Sequence, residues 1–367
     1  MKHTSVHFSR IVLLVIIAIS FSTTAVCQDN RRKVITRVAD LLDTLARRRV
    51  DTTYIEVPKQ PWRVMSTTNI NELSFAIESS FGSESFDEED GVDALKFKSD
   101  VNSGVRMSTG FRLGYRALNL GFAYVFGKHG GTHFTIGTNG KRFGLNISLH
   151  RFKSYKSEIT AVIHDSEDHN KYKEKSVTEL DEPCTISSLA ISGYYVFNHR
   201  RFSNGATHAM GFIQRRSAGS FIADFSWIRA TADYADIDNL AFIILFHDVG
   251  RIKMRQINLG FGYSYNWVPC RGLVINASIT PRLSLDTRIS SWIYSINQSG
   301  DELVFDRLEK KHSRFKLTGK ARMAVVYNNK RWFFGATGEM QQFRYKHDRT
   351  NGKLSDWLVK AVIGYRF

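Results

Sequence analysis

Over most of its length the chain alternates between apolar and polar residues. In SGVRMSTGFRLGYR, Val105, Met107, Phe111, Leu113 and Tyr115 share one parity, with Thr109 among them. Arg106, Ser108, Gly110, Arg112, Gly114 and Arg116 take the other. QINLGFGYSYNW sets Ile257, Leu259, Phe261, Tyr263, Tyr265 and Trp267 against Gln256, Asn258, Gly260, Gly262, Ser264 and Asn266. RFKLTGKARMAVVY and DWLVKAVIGYRF divide in the same way. A period of two places each set on one side of a β-sheet. It predicts twelve strands, near 70–80, 103–116, 118–127, 131–138, 141–153, 185–197, 219–232, 254–268, 272–288, 313–328, 331–346 and 354–367.

A soluble sandwich also alternates, apolar inward and polar outward. Its strands, however, usually run to about 5 or 6 residues, and most of these are longer. A strand that crosses a bilayer needs about 9–11 residues. Aromatic residues sit at many strand ends, at Tyr115, Trp267, Tyr327, Trp357 and Phe367, as interfacial girdles require. The polar face is rich in Gly, Ser, Asn and Arg, which suits a lumen. The expected fold is therefore all-β, an antiparallel transmembrane β-barrel of about twelve strands with a short N-terminal α-helix. The connections agree with the short turns on one side and long loops on the other that such barrels show. ALN, NG, VPCR and NNKR are tight, whereas 81–102, 154–184, 233–253 and 289–312 are long and polar. The exception is 198–218, long yet on the turn side. Its Arg215 and Arg216 are expected either to meet lipid phosphate or to be carried into the lumen as part of a plug.

The first residues read as an export signal. Lys2 and Arg10 flank the start of IVLLVIIAISF, and STTAVC follows. That order of charge, apolar core and small residues is a signal peptide, and the core is too short to span a bilayer. Residues 1–27 are assigned to it. A lipidated Cys27 is the rival, against which Val26 argues. Residues 28–62 are expected as a periplasmic helix over 31–48 and an extended linker broken by Pro58 and Pro61, with the barrel over 63–367.

Composition narrows the picture only a little. The 367 residues carry a formal charge of +16 and a mean hydropathy of −0.26, which is not that of a helical membrane protein. A basic balance fits nucleic acid, anionic lipid or an acidic solute. No basic helix, finger spacing or RNA-binding motif supports nucleic acid. Cys184 and Cys270 are expected at opposite ends of the barrel and unbonded to each other.

DTTYIEVPKQPWRV, YYVFNHRRFSNGATHAMGFIQRRSAGSFIADFSW and LGFGYSYNWVPCRGLVINASITPRL resemble an exported Bacteroidota family, a domain of unknown function. The resemblance runs from about Asp51 to Phe367. It implies an outer-membrane β-barrel of undefined biochemistry and supplies no catalytic or binding residues. Likeness to outer-membrane proteins further implies that lipids of that membrane and the barrel-assembly machinery are partners, the latter reading Tyr365 and Phe367 as an assembly signal.

The strongest chemical feature is a cationic inward face. Arg106, Arg112, Arg116, Arg282, Lys316, Lys320 and Arg322 are candidate anion-binding residues, with Lys360 and Arg366 beside them. They suit a porin-like channel for anionic small solutes. Alternatively they pair with Glu72, Glu78, Asp224, Asp286 and Glu339 in a filled interior, because buried charges must be paired or hydrated. GKHGGTH, with His129 and His133, reads as a hairpin turn and not a phosphate loop, because no helix follows it. The acidic runs at 87–90 and 165–170 lack the spacing of a calcium loop. No metal site and no cofactor is expected. A lipase, deacylase or acyltransferase is the enzymatic alternative. Asn146, Ser148 and His150 share the inward face, but no third orienting group can be named, so no catalytic residue is assigned. The functional expectation is a small-solute channel or a structural barrel.

Overall fold

The computed structural model describes residues 50–82, 92–102, 106–126, 130–165, 171–245, 247–297, 302–313, 316–347 and 350–367. The expected signal peptide, the helix over 31–48, and the acidic residues 87–90 and 166–170 lie outside them. In chain order the strands are β1 (Ile55–Glu56), β2 (Trp62–Gly82), β3 (Val92–Asn102), β4 (Arg106–Tyr115), β5 (Leu118–Val125) and β6 (Gly131–Asn139). They continue with β7 (Phe143–Asp165), β8 (Lys171–Val196), β9 (Ile213–Gln214), β10 (Ala218–Asp233) and β11 (Val249–Cys270). The last are β12 (Leu273–Ile296), β13 (Leu303–Ser313), β14 (Lys316–Asn329), β15 (Trp332–His347) and β16 (Thr350–Arg366). Two short helices, α1 (Asn204–Thr207) and α2 (Leu240–Leu245), lie in connections.

Twelve strands form one closed antiparallel barrel. Its order is β11-β10-β8-β7-β6-β5-β4-β2-β16-β15-β14-β12, and β12 returns to β11. Each of the twelve overlaps one of the strands expected from the alternation, with ends that differ by a few residues or, in β2, β7, β8 and β12, extend well beyond it. The seam between β2 and β16 runs in register from Arg63–Arg366 to Ser79–Thr350. It is completed by the reciprocal backbone hydrogen bonds of Trp62 and Phe367, at 3.3 and 3.1 Å. Closure gives every edge strand a partner, so no barrel edge is left unpaired.

Several strands are much longer than a bilayer needs, and these extensions carry two strands that the alternation did not reveal. β8 has 26 residues and β7 has 23, whereas β5 has 8. Above the short strands, β3 bridges β2 and β7, pairing with Ser74–Gly82 on one side and with residues 157–165 on the other. β13 pairs with the far half of β12. Both lie in segments expected as polar loops. They satisfy backbone groups that the projecting strands would otherwise leave bare. Lying beyond the barrel wall, they do not need the apolar face that marks the others.

The long connection on the turn side is neither a further pair of barrel strands nor a surface loop. It folds into the barrel. Every residue from Phe202 to Gln214 is buried except His208, which is half-buried. β9 within it pairs with β1, forming a small separate sheet, so the barrel count stays at twelve. Met210 joins Met65, Val274, Val326, Phe333 and Val362, inward residues of five strands, in one buried cluster. Glycines make the space. A Cβ at Gly335 would lie 2.5 Å from Met210 Cε, and one at Gly364 would lie 2.2 Å from Phe333 Cζ. At the other end, residues 234–245 fold over the inner wall. Tyr234 and Ile243 join a cluster with Phe152, Cys184, Ile228 and Ile252, and Asn239 is tied to the backbone of Glu182. Cys184 is buried there, Cys270 is exposed in its turn, and both are free.

Candidate functional site

The barrel is apolar outside and polar inside, the reverse of a soluble domain. Outward residues such as Leu317 (75% exposed), Ile279 (70%) and Phe111 (69%) stand in the open. Inward residues Gln256, Asn258, Asn266 and Asn276 are fully buried. At the turn end, aromatic pairs ring the outside. Trp62 meets Tyr115 at 4.8 Å and Trp332 meets Tyr365 at 4.9 Å between ring centroids. Towards the loop end the outward positions become cationic. Arg229 lies directly across the strands from Arg255, and Arg255 lies across from Arg288.

The inward polar residues form two tiers. At the turn end, arginines latch the folded-in segment. Arg366 donates from Nη2 to the Met210 carbonyl at 2.7 Å, and from Nη1 to Asn328 Oδ1 and the Lys330 carbonyl at 2.7 and 2.8 Å. Its guanidinium also lies 4.4 Å from the centre of the Phe333 ring. Arg63 donates to the Arg116 carbonyl and to Asn119 Oδ1, both at 2.5 Å. Arg116, one of the expected anion-binding residues, sits in the β4–β5 turn and donates to the Pro58 carbonyl at 2.5 Å. Arg215 stays outside the barrel, paired with Glu56 at 2.8 Å.

The middle tier holds most of the expected cationic face, divided between two walls. On the wall of β10, β12, β14 and β15 the charges are paired. Arg282 forms an ion pair with Asp224 and donates to Gln341 at 3.0 Å. Lys320 and Arg322 share Glu339, at 2.6 and 2.8 Å. A Cβ at Gly260 would lie 2.9 Å from Arg282 Cγ, so this glycine makes room for the pair. Lys316 is half-buried farther along β14. Asp286 is engaged elsewhere, with His312, Arg288 and Arg255 near the loop end. The side chains of Arg106, Glu72 and Glu78 lie outside the described residues.

The opposite wall, on β16, β2, β4, β6 and β7, is different. Arg112 and Lys360 face inward with no hydrogen bond or ion pair among the described residues. The GKHGGTH stretch joins β5 and β6, which pair as the expected hairpin, and His133 on β6 starts a luminal pair. Its ring centroid lies 3.7 Å from that of His150, with the planes tilted by 36°, and Ser148 Oγ lies 3.1 Å from Nε2 of both imidazoles. The Ser148 hydroxyl can donate to one ring and accept from the other, according to their tautomers, but among the described residues no carboxylate orients either ring. The hydrogen-bonded third member that activates a serine nucleophile is not found among the described residues. A cavity of about 20 Å³, room for a water or two, lies beside the pair, lined by Asn69, Ser108, His133 and His150. The sequence signal for His133 is its parity, opposite Phe134 and Ile136, which places it on the inward face of β6.

A closed antiparallel barrel with an exposed apolar exterior and a buried polar interior is the architecture of a β-barrel membrane protein. The chain belongs to the family described as a domain of unknown function, DUF4421, whose model matches residues 49–367. No curated protein matches it. Among solved structures it is similar to the outer membrane protease OmpT from Escherichia coli, at a TM-score of 0.38 and 8% identity, over 84% of this chain and 98% of that one. It is also similar to the translocator domain of the autotransporter NalP from Neisseria meningitidis, at a TM-score of 0.32 and 9% identity, over 92% and 96%. A third is the outer membrane protein OprG from Pseudomonas aeruginosa, at a TM-score of 0.27 and 7% identity, over 85% and 99%.

Proposed function

We propose that this protein is a closed, structural barrel of the outer membrane rather than a standing pore. The observation that carries this reading is the segment from Phe202 to Gln214, buried inside the turn end, where Met210 clusters with inward residues of β2, β12, β14, β15 and β16 and Phe202 with residues of β8 and β10. A second support is the paired wall, where Asp224 and Glu339 neutralise Arg282, Lys320 and Arg322. An open anion pathway would keep such cations available to solute. The aromatic exterior supports residence among outer-membrane lipids. Barrel-assembly machinery is the expected partner for insertion.

Conductance in a planar bilayer tests the proposal. The native barrel is expected to give no steady current. Replacing residues 203–213 with a short Gly-Ser linker is expected to open it and produce step conductance. A steady, ion-selective current from the native protein, unchanged by the replacement, would favour the channel.

A further inference from the structure

The two luminal walls are unequal. Five mid-barrel cations, Arg112, Arg282, Lys320, Arg322 and Lys360, face the interior, and among the side chains that are described only two carboxylates, Asp224 and Glu339, face it with them. Both carboxylates are taken. Glu339 offers one oxygen to Lys320 and the other to Arg322, while Asp224 holds Arg282. Arg112 and Lys360 make no such bond among the described residues, and each is within electrostatic reach of the other and of His133; Glu339, on the strand next to Lys360, also reaches it but is already bonded to two other cations. Like charges gathered in a confined space repel one another, and a buried charge must be paired or hydrated. A counter-ion relieves both costs.

The same wall supplies neutral donors and space. Lys360 lies directly across the strands from Asn69, and Asn69 lies across from Ser108. Asn69 is 3% exposed and donates to Ser108 Oγ at 3.0 Å. Its Oδ1 has no partner. The small cavity adjoins Asn69, Ser108, His133 and His150. We propose that this wall binds one small inorganic anion, between chloride and phosphate in size, held by Arg112 and Lys360 beside the His133–His150 pair. A water carried in with the ion, or the hydroxyl of hydrogen phosphate, would donate to Asn69 Oδ1. The guanidinium of Arg112 supplies a fork for an oxyanion, and the Lys360 ammonium a point charge.

The inference leans on the closed-barrel reading only because a closed lumen limits exchange with bulk counter-ions. Conductance and anion binding are measured separately, so one can fail without the other. The full chain, refolded in zwitterionic detergent, is unfolded with urea at constant ionic strength. Sodium gluconate is replaced stepwise by sodium chloride or sodium phosphate. The midpoint should rise and saturate with at least one of these ions, since a ligand that binds only the folded state stabilises it by mass action. Arg112→Met with Lys360→Met should abolish the rise. A midpoint indifferent to anion identity overturns the proposal, and so does a double variant that keeps the wild-type response. If that variant does not refold, bromide decides the matter. Anomalous scattering from wild-type crystals should show a peak beside Arg112 and Lys360, and no peak there at saturating bromide overturns the site.

Discussion

Phe261→Arg is expected to abolish most of the folded barrel while leaving synthesis of the chain unchanged. Phe261 is 56% exposed on the outer face of β11, stacked on Phe221 at 5.4 Å and near Phe197 at 5.9 Å. It stands about midway between the Trp267 girdle and the cationic positions above. Arginine at that depth in lipid costs about 2–4 kcal/mol, and losing the aromatic pair adds about 1 kcal/mol. Asn258→Ala is the matched inward change. It removes one hydrogen bond to Ser226, at 3.1 Å, worth about 1 kcal/mol. Heat-modifiable mobility of the refolded protein on gels would compare the two yields. Equal yields would mean that the face of Phe261 does not lie against lipid. Arginine at 258 would not serve as a mild control, because Asn258 is fully buried and an overpacked interior is itself destabilising.

Arg366→Met should release the folded-in segment. The guanidinium serves the Met210 carbonyl, the Lys330 carbonyl and Asn328 Oδ1 at once. Methionine fills some of the volume against Phe333 but donates nothing. Each buried acceptor left bare costs about 1–3 kcal/mol, against a segment otherwise held by packing around Met210 and Phe202 and by Asn266 and His208. Limited proteolysis should then cut between Phe202 and Gln214, where the wild type resists, and brief current openings should appear in bilayers. The barrel itself should survive, since its ladder does not depend on this side chain. Arg366→Lys should behave closer to methionine than to arginine, because one ammonium cannot reach three divergent acceptors as the planar fork does. Unchanged protease resistance in Arg366→Met would show that packing around Met210 holds the segment without the latch.

The alternation along the chain determined the twelve strands, their face assignment and the closing role of the last segment. The reason is local. A strand in a barrel of this kind must show apolar atoms on every second residue, so each strand carries its own record of inside and outside. Phe261 and Leu317 are therefore legible as outward, and Asn258 and Lys320 as inward, from their neighbours alone. Parity records neither depth nor contact. Arg366 meets Met210 across 156 positions of chain, and Arg282 meets Asp224 across 58. Nothing near Met210 in sequence says that it enters the barrel. β3 and β13 escaped notice because they lie beyond the wall and need no apolar face. His133 meets His150 only because β6 and β7 pair in one register. Only the closed tertiary structure decided which cations are paired, which are left on the opposite wall, and that the turn end is filled. Those outcomes depend on where strands far apart in sequence come around the barrel to face one another.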